Sequence, residues 1–189
     1  ELLTNEQLKR ECTSYLSIHQ KPVKSSQLFM GKIHDLNLKR INDHFGIPED
    51  RYKKVPLDMK LLRTRLQSGN GTRRFFIHLG ESEYLDNSVD LASFHSFDEA
   101  YHHLVFDLTE LCIEAIDLVI GKPEEIHNYF VTGGFARNEI FMNYLATRCS
   151  DKSIFLSEID NATALGAALT ILPGARYLDI KKIRIQPKK

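Results

Sequence analysis

The chain has 189 residues, 42% hydrophobic and 26% charged, enough for one substantial core or for one and a half small domains. Lys plus Arg and Asp plus Glu each total 25, so the formal charge is zero and no basic surplus draws in a nucleic-acid backbone. Cys12, Cys112 and Cys149 are odd in number and lack metal-ligand spacing, which argues against a disulfide framework or a structural zinc and fits a reducing cytoplasm. No apolar run approaches the roughly 18 residues of a membrane span, so no membrane partner is expected. Glu1 opens the sequence without a methionine or a signal pattern, and a soluble piece of a longer protein is expected.

Thr4 with Gln7 has the form of a capping box, and Leu8, Cys12, Tyr15 and Leu16 then recur at helical spacing, predicting an opening helix. Pro22, Ser25 and Ser26 break it, and Leu28 to Met30 reads either as an edge strand or as an extended connection. A second helix is predicted from His34 to Phe45, closed by Gly46 with Pro48 beyond; Pro56 suits the first turn of a third. Phe75, Phe76, Ile77 and Leu79 read as a short buried strand. Ser96 with Glu99 forms a second capping box and opens the strongest helical pattern, through Leu104, Leu108, Leu111 and Ala115 to a stop at Gly121 and Pro123.

On that helix His102 and His103 are adjacent, one expected toward solvent and one in a seam; Asp107, Glu110, Glu114 and Asp117 read as a solvated face, with Asp107 the one that could turn inward. Glu81, Glu83, Asp86 and Asp90 read as a surface loop, and Arg73 with Arg74 as a surface pair. Tyr129 to Thr132 forms a β-rich run, followed by Gly133-Gly134 and a helical stretch through Leu145. Ile154 to Leu156 is a second strand, and Ala162 to Leu172 a small-residue helix. Strand, helix, strand, helix predicts a mainly parallel sheet covered by helices. The tail from Tyr177 is open between a final strand and a chain end.

Two stretches carry chemistry. In Val131-Thr132-Gly133-Gly134-Phe135-Ala136-Arg137-Asn138 a strand delivers a glycine pair to a helix start, placing backbone N–H groups unobstructed by Cβ atoms where a phosphate or ribose could lie. The stretch matches neither the dinucleotide fingerprint nor a Walker A loop, and by itself it is equally a purely structural turn. In Asn161 to Ala168, four alanines and a glycine make one thin helix face, suited to close helix–sheet packing or to a flat ring.

Together the two stretches resemble the C-terminal nucleotide-binding region of FGGY-family carbohydrate kinases, whose pattern is T-G-G-G-x-x-R/S-N, a helix, then E-A-x-A-L-G-A-A. Upstream, Ser26-Gln27-Leu28-Phe29-Met30-Gly31 is similar to a segment of the deoxyketose-kinase branch, the rhamnulokinase- and fuculokinase-like enzymes. The resemblance implies a ribonuclease H-like, actin-like ATPase domain with a mixed, largely parallel sheet flanked by helices. It implies a helical lead-in over residues 1–72, a nucleotide-binding core over 73–175 and a basic tail over 176–189.

By the same resemblance, Gly133 and Gly134 lie against the α-phosphate and ribose of ATP or ADP, Asn138 stands beside the adenine, Ala136 and Arg137 border the pocket, and Ala164 with Gly166 forms its thin wall. Phe135 stands where a third small residue is frequent, and Asn161 where the family often has Glu. The catalytic base, most sugar contacts and most of the Mg²⁺ site belong to an N-terminal domain with no counterpart in this sequence, so no catalytic or metal-ligating residue is assigned. The implied activity is transfer of the γ-phosphate of ATP to a ketose hydroxyl, with this piece inactive alone and the full-length protein open to forming a homodimer. The rival readings are a non-catalytic nucleotide-responsive or interaction domain on the same fold, and an unrelated α/β piece whose glycine turn is architecture.

Overall fold

The longest helical pattern organises the first of two compact units. In a computed structural model, which describes residues 3–17, 20–68, 74–76, 84–121, 125–157, 164, 166–168 and 185–187, one unit comprises Glu1–Ser14 with Lys24–Gly121 and the other Tyr15–Val23 with Lys122–Lys189.

Helix α1 (Asn5–Lys9) starts with the expected capping box: Thr4 Oγ1 accepts from Gln7 N–H at 3.2 Å, and Gln7 Oε1 accepts from Thr4 N–H at 2.9 Å. The helix is much shorter than the apolar spacing predicts. Glu11 turns the chain at a φ of 53°, and Thr13–Leu16 (β1) pairs with Pro22–Ser25 (β2) instead. Tyr15 and Leu16 are 57% and 66% exposed, so a longer helix would have had no buried stripe, and strand pairing of Thr13 and Tyr15 prevails over a weak helical pattern. The buried Gln7 also donates to Leu118 O at 2.7 Å, satisfying a carbonyl in the last turn of the long helix described below.

Helix α2 (Met30–Phe45) ends as predicted, at Gly46 with a left-handed φ of 64°. Residues 26–29 lie in neither helix nor strand, so no edge strand forms there; Met30 N–H donates to Leu28 O at 2.9 Å, and the helix begins at Met30 rather than His34. Helix α3 (Met59–Gln67) starts after Pro56, because Asp58 caps it by accepting from Lys60 N–H at 2.7 Å and Leu61 N–H at 3.2 Å. Helix α4 (Phe97–Val119) starts where predicted: Ser96 Oγ accepts from Glu99 N–H at 3.1 Å, while the Glu99 carboxylate reaches back to His95 N–H at 2.8 Å.

Every residue of α4 from Ala100 to Leu111 is buried. The expected solvated face therefore holds only for Glu114 and Asp117, since Asp107 and Glu110 are inside, and both His102 and His103 are buried. The buried polar groups answer to neighbours. His102 Nδ1 donates to Asp98 O at 2.6 Å, and its Nε2 accepts from Asp58 N–H at 2.9 Å, pinning the start of α3. Burial lowers the His102 pKa, against the pull of the Asp98 carbonyl and the Asp58 and Asp98 charges, and this favours the neutral tautomer that the two hydrogen bonds require.

Asp107, fully buried, is the centre of the unit. Its Oδ2 accepts from the backbone N–H groups of Arg74, Phe75 and Phe76 at 2.8, 2.5 and 3.3 Å. Its Oδ1 lies 2.6 Å from Nη2 of Arg65, also buried, as an ion pair outside hydrogen-bond geometry. One carboxylate thus ties α3, residues 74–76 and α4 together. Phe75 and Phe76 are fully buried as expected but lie in no strand; Ile77, Leu79 and Arg73 fall outside the described residues.

The second unit contains β3 (Asn128–Val131), α5 (Glu139–Arg148), β4 (Ser153–Ser157) and β5 (Ile185–Pro187). The sheet order is β3-β4-β5. β3 and β4 run parallel, in register from Asn128 opposite Ser153 to Val131 opposite Leu156, with α5 in the crossover. β5 pairs antiparallel with β4, Phe155 opposite Pro187, so residues 185–187 of the tail form a strand, and the rest of the tail falls outside the described residues. Ile140, Phe141, Met142, Tyr144 and Leu145 of α5, with Ala136 and Ile154, form the core of this unit. Among the described residues the sheet is mixed, with one parallel and one antiparallel pairing.

Replacing Asp107 by Ala leaves three backbone N–H groups buried without their acceptor and removes the carboxylate that faces the buried Arg65 guanidinium. A loss of about 3–5 kcal/mol is expected, measured by urea denaturation of the first unit's far-UV signal.

Candidate functional site

Parallel register decides where the two sequence motifs leave the sheet. Val131 and Leu156 are register partners at the carboxyl ends of β3 and β4, so the glycine turn and the chain leading to the small-residue helix depart from the same sheet edge. In open α/β sheets ligands bind outside the carboxyl ends of parallel strands.

After β3 the chain passes through Gly133 at φ 79° and ψ −160°, a conformation essentially confined to glycine. Gly134–Arg137 then forms a single 3-10 turn, held by Ala136 N–H donating to Gly133 O at 3.2 Å and Asn138 N–H to Phe135 O at 3.0 Å. A helix was expected directly after the glycines; the turn comes first, and α5 follows it. Gly134 N–H heads the turn, where no carbonyl of the turn precedes it. A Cβ built on Gly133, Gly134 or Gly166 meets no atom of the described residues within 4 Å, so among them the space over these backbones is open.

The remaining assigned residues divide by burial. Arg137 is exposed and supplies a cation at the end of the turn. Ala136 is 4% exposed and packs into the second unit's core. Asn138 is half-buried and caps α5, its Oδ1 accepting from Phe141 N–H at 3.1 Å. That cap was not foreseen, although Asn followed by Glu139 in the first turn is a helix-start signal. The Phe135 ring packs on Phe141 at 5.3 Å, turned toward α5. Ala164, Gly166, Ala167 and Ala168 are helical and exposed; Glu158 to Asp160, Asn161 and Leu165 fall outside the described residues.

Among the other residues singled out in the sequence, Asp86 is buried and bonds its own turn, its Oδ1 accepting from Ser88 N–H and Oγ, while Asp90 caps a 3-10 turn through Ala92 N–H. Glu81 and Glu83 lie outside the described residues. No group of three His, Cys, Asp or Glu side chains is gathered for a metal among the described residues. Sequence reading also missed a groove of about 410 Å³ in the first unit, where Asp35, Leu38, Lys39 and Asn42 share one face of α2 opposite Tyr52 and Lys53. Its helical spacing was the available signal.

No family model matches the sequence, and no curated protein does. Among solved structures, a carbohydrate kinase from Novosphingobium aromaticivorans is similar, with a TM-score of 0.53 and 18% identity over 95% of this chain and 34% of the kinase. The fold is kinase-like α/β. The chain spans about a third of the length of that kinase. No helix among the described residues is long and apolar enough to cross a membrane.

The two glycines have different reasons to be glycine. Gly133→Ala forces a side chain into a glycine-only conformation and is expected to cost about 1–3 kcal/mol, whereas Gly134→Ala, with open space and ordinary φ, leaves the thermal midpoint nearly unchanged; differential scanning calorimetry separates them. Asn138→Ala loses a helix cap worth about 1 kcal/mol and Asn138→Ser keeps one, so only the serine variant reads the amide's contribution to ligand affinity, by titration calorimetry, without loss of the cap.

Proposed function

We propose that this chain is the C-terminal, ATP-binding part of an FGGY-type sugar kinase with a ribonuclease H-like, actin-like core. The whole protein transfers the γ-phosphate of ATP to a ketose hydroxyl and works in the cytoplasm. The observation that carries the reading is the glycine turn at the carboxyl end of β3: Gly133 in a glycine-only conformation, Gly134 heading a turn, and no atom of the described residues within 4 Å of either missing side chain. The kinase-like fold and the matching motif pattern support it.

In this reading the ribose and α-phosphate lie on the Gly133 and Gly134 backbone, where the first N–H of the turn donates and no Cβ holds the ligand off. Arg137 adds positive charge beside the phosphates, Asn138 borders the adenine while capping α5, and Ala164 with Gly166 offers a thin wall for the base. Phosphoryl transfer also needs Mg²⁺ and a carboxylate that takes the acceptor proton. These belong to the preceding part of the kinase, so this piece holds nucleotide and does not turn over alone. Closure of the two parts would exclude the water that otherwise hydrolyses ATP.

Calorimetric titration of the chain with Mg-ATP and with ADP tests the reading. Binding by the parent, weakened at least about tenfold in Gly134→Val at an unchanged thermal midpoint, is the expected result, since the branched side chain enters space that the ligand needs and the protein does not. Equal binding by the variant, or none by the parent at millimolar nucleotide, overturns it.

A further inference from the structure

The mutual placement of His103, Arg74 and Asp107 points to a function in the first unit unrelated to the glycine turn. We propose that His103 is an acid-sensitive latch that holds residues 74–76 against α4 and releases them when its imidazole takes up a proton.

The geometry allows one neutral arrangement. Arg74 Nη1 lies 3.3 Å from His103 Nε2, and a guanidinium only donates, so Nε2 accepts and Nδ1 carries the hydrogen. Nδ1 is buried with no hydrogen-bond partner among the described residues. The latch shares one ring: Phe94 lies 5.6 Å from His103 and 5.9 Å from Phe75, and the Arg74 guanidinium sits 5.0 Å above it. The backbone of the same three residues is gripped by Asp107. Residues 74–76 therefore rest on a side-chain fastening at His103 and a backbone fastening at Asp107.

A proton on Nε2 converts the acceptor into a donor facing another donor and places a second cation beside Arg74. The groups facing it are Arg74 and Arg65, which repel the imidazolium; Glu99, which attracts it; and His102 on the same helix, which repels it. Glu99 is already engaged, 3.6 Å from Arg74 and 3.0 Å from His95 Nδ1. Although burial pushes the Glu99 carboxyl up, the His95 backbone and ring hold its pKa lowered. Burial, then the two arginines, pushes His103 down to about 4 from its ordinary 6.5.

The released state binds the proton more readily than the latched one, so the latch is at full strength above about pH 6.5 and weakens as pH falls toward 4. Asp107 acts in the opposite sense. Burial raises its pKa, against Arg65 and the three N–H groups, so protonating it favours the latched state. His102 titrates at a different contact, the Asp58 N–H at the start of α3.

The test is amide hydrogen exchange of the full chain between pH 7.5 and 5, corrected for intrinsic exchange. Protection of the Phe75 and Phe76 amides is expected to fall about 30-fold, with α4 amides near Leu104 unchanged. In His103→Gln, which keeps an acceptor for Arg74 and does not titrate, the fall should vanish or reverse. An equal fall in that variant, unchanged protection in the parent, or a uniform loss across the first unit overturns the proposal. Should the variant not fold, the imidazole NMR titration of His103 in the parent decides instead: its midpoint must lie well below 6.5, and one near 6.5 overturns the latch.

Discussion

The first unit depends on a carboxylate held out of water. Desolvating an ionised group costs several kcal/mol, and the attraction of one arginine does not always offset that. Asp107 has more than one partner: Arg65 from α3 and three successive backbone N–H groups from residues 74–76. Its pKa is nevertheless raised, so burial outweighs these partners and the residue weakens the unit in one respect while organising it in another. What it contributes is uniqueness of arrangement. An apolar side chain at position 107 would tolerate many positions of residues 74–76, and the carboxylate accepts one.

The candidate site uses the opposite physics. In the proposed reading, recognition rests on main chain at a sheet edge, and the side chains around it mostly serve the scaffold: Asn138 caps α5, Ala136 fills the core, Phe135 leans on Phe141. Parallel pairing of β3 and β4 sends the chain out of both strands at one edge although 25 residues separate their register partners, as Asn128 and Ser153 illustrate. A surface built from backbone and missing side chains carries little chemical signature, and its meaning comes from the fold around it.

This division explains what could be read in advance. Helix ends with local chemistry were legible: Thr4 with Gln7, Ser96 with Glu99, and the left-handed Gly46 all act where their residue types say they should. The parallel β3-α5-β4 order was legible from alternating apolar runs. The helix expected through Leu16 failed because pairing with the neighbouring strand, Pro22–Ser25, competes with a short apolar stripe, and helical spacing by itself does not record that competition. The inward option for Asp107 and a seam position for one of the two histidines were legible; the burial of the other histidine and of Glu110 was not, because polar residues within an apolar stripe look like a wet face until their partners arrive from elsewhere in the chain. At the site, Gly133 could be seen as a glycine but its backbone conformation could not, and the capping duty of Asn138 was masked by the attention its motif drew.

Neither unit is one continuous length of chain. Tyr15–Val23 groups with the second unit while the residues on both sides of it group with the first. A cut after Gly121 therefore makes no clean fragments: the N-terminal piece carries nine residues that belong with the other unit, and the C-terminal piece lacks them. An expression boundary for studying the glycine turn by itself is better drawn by joining the hairpin segment to residues 122–189 through a designed linker than by simple truncation.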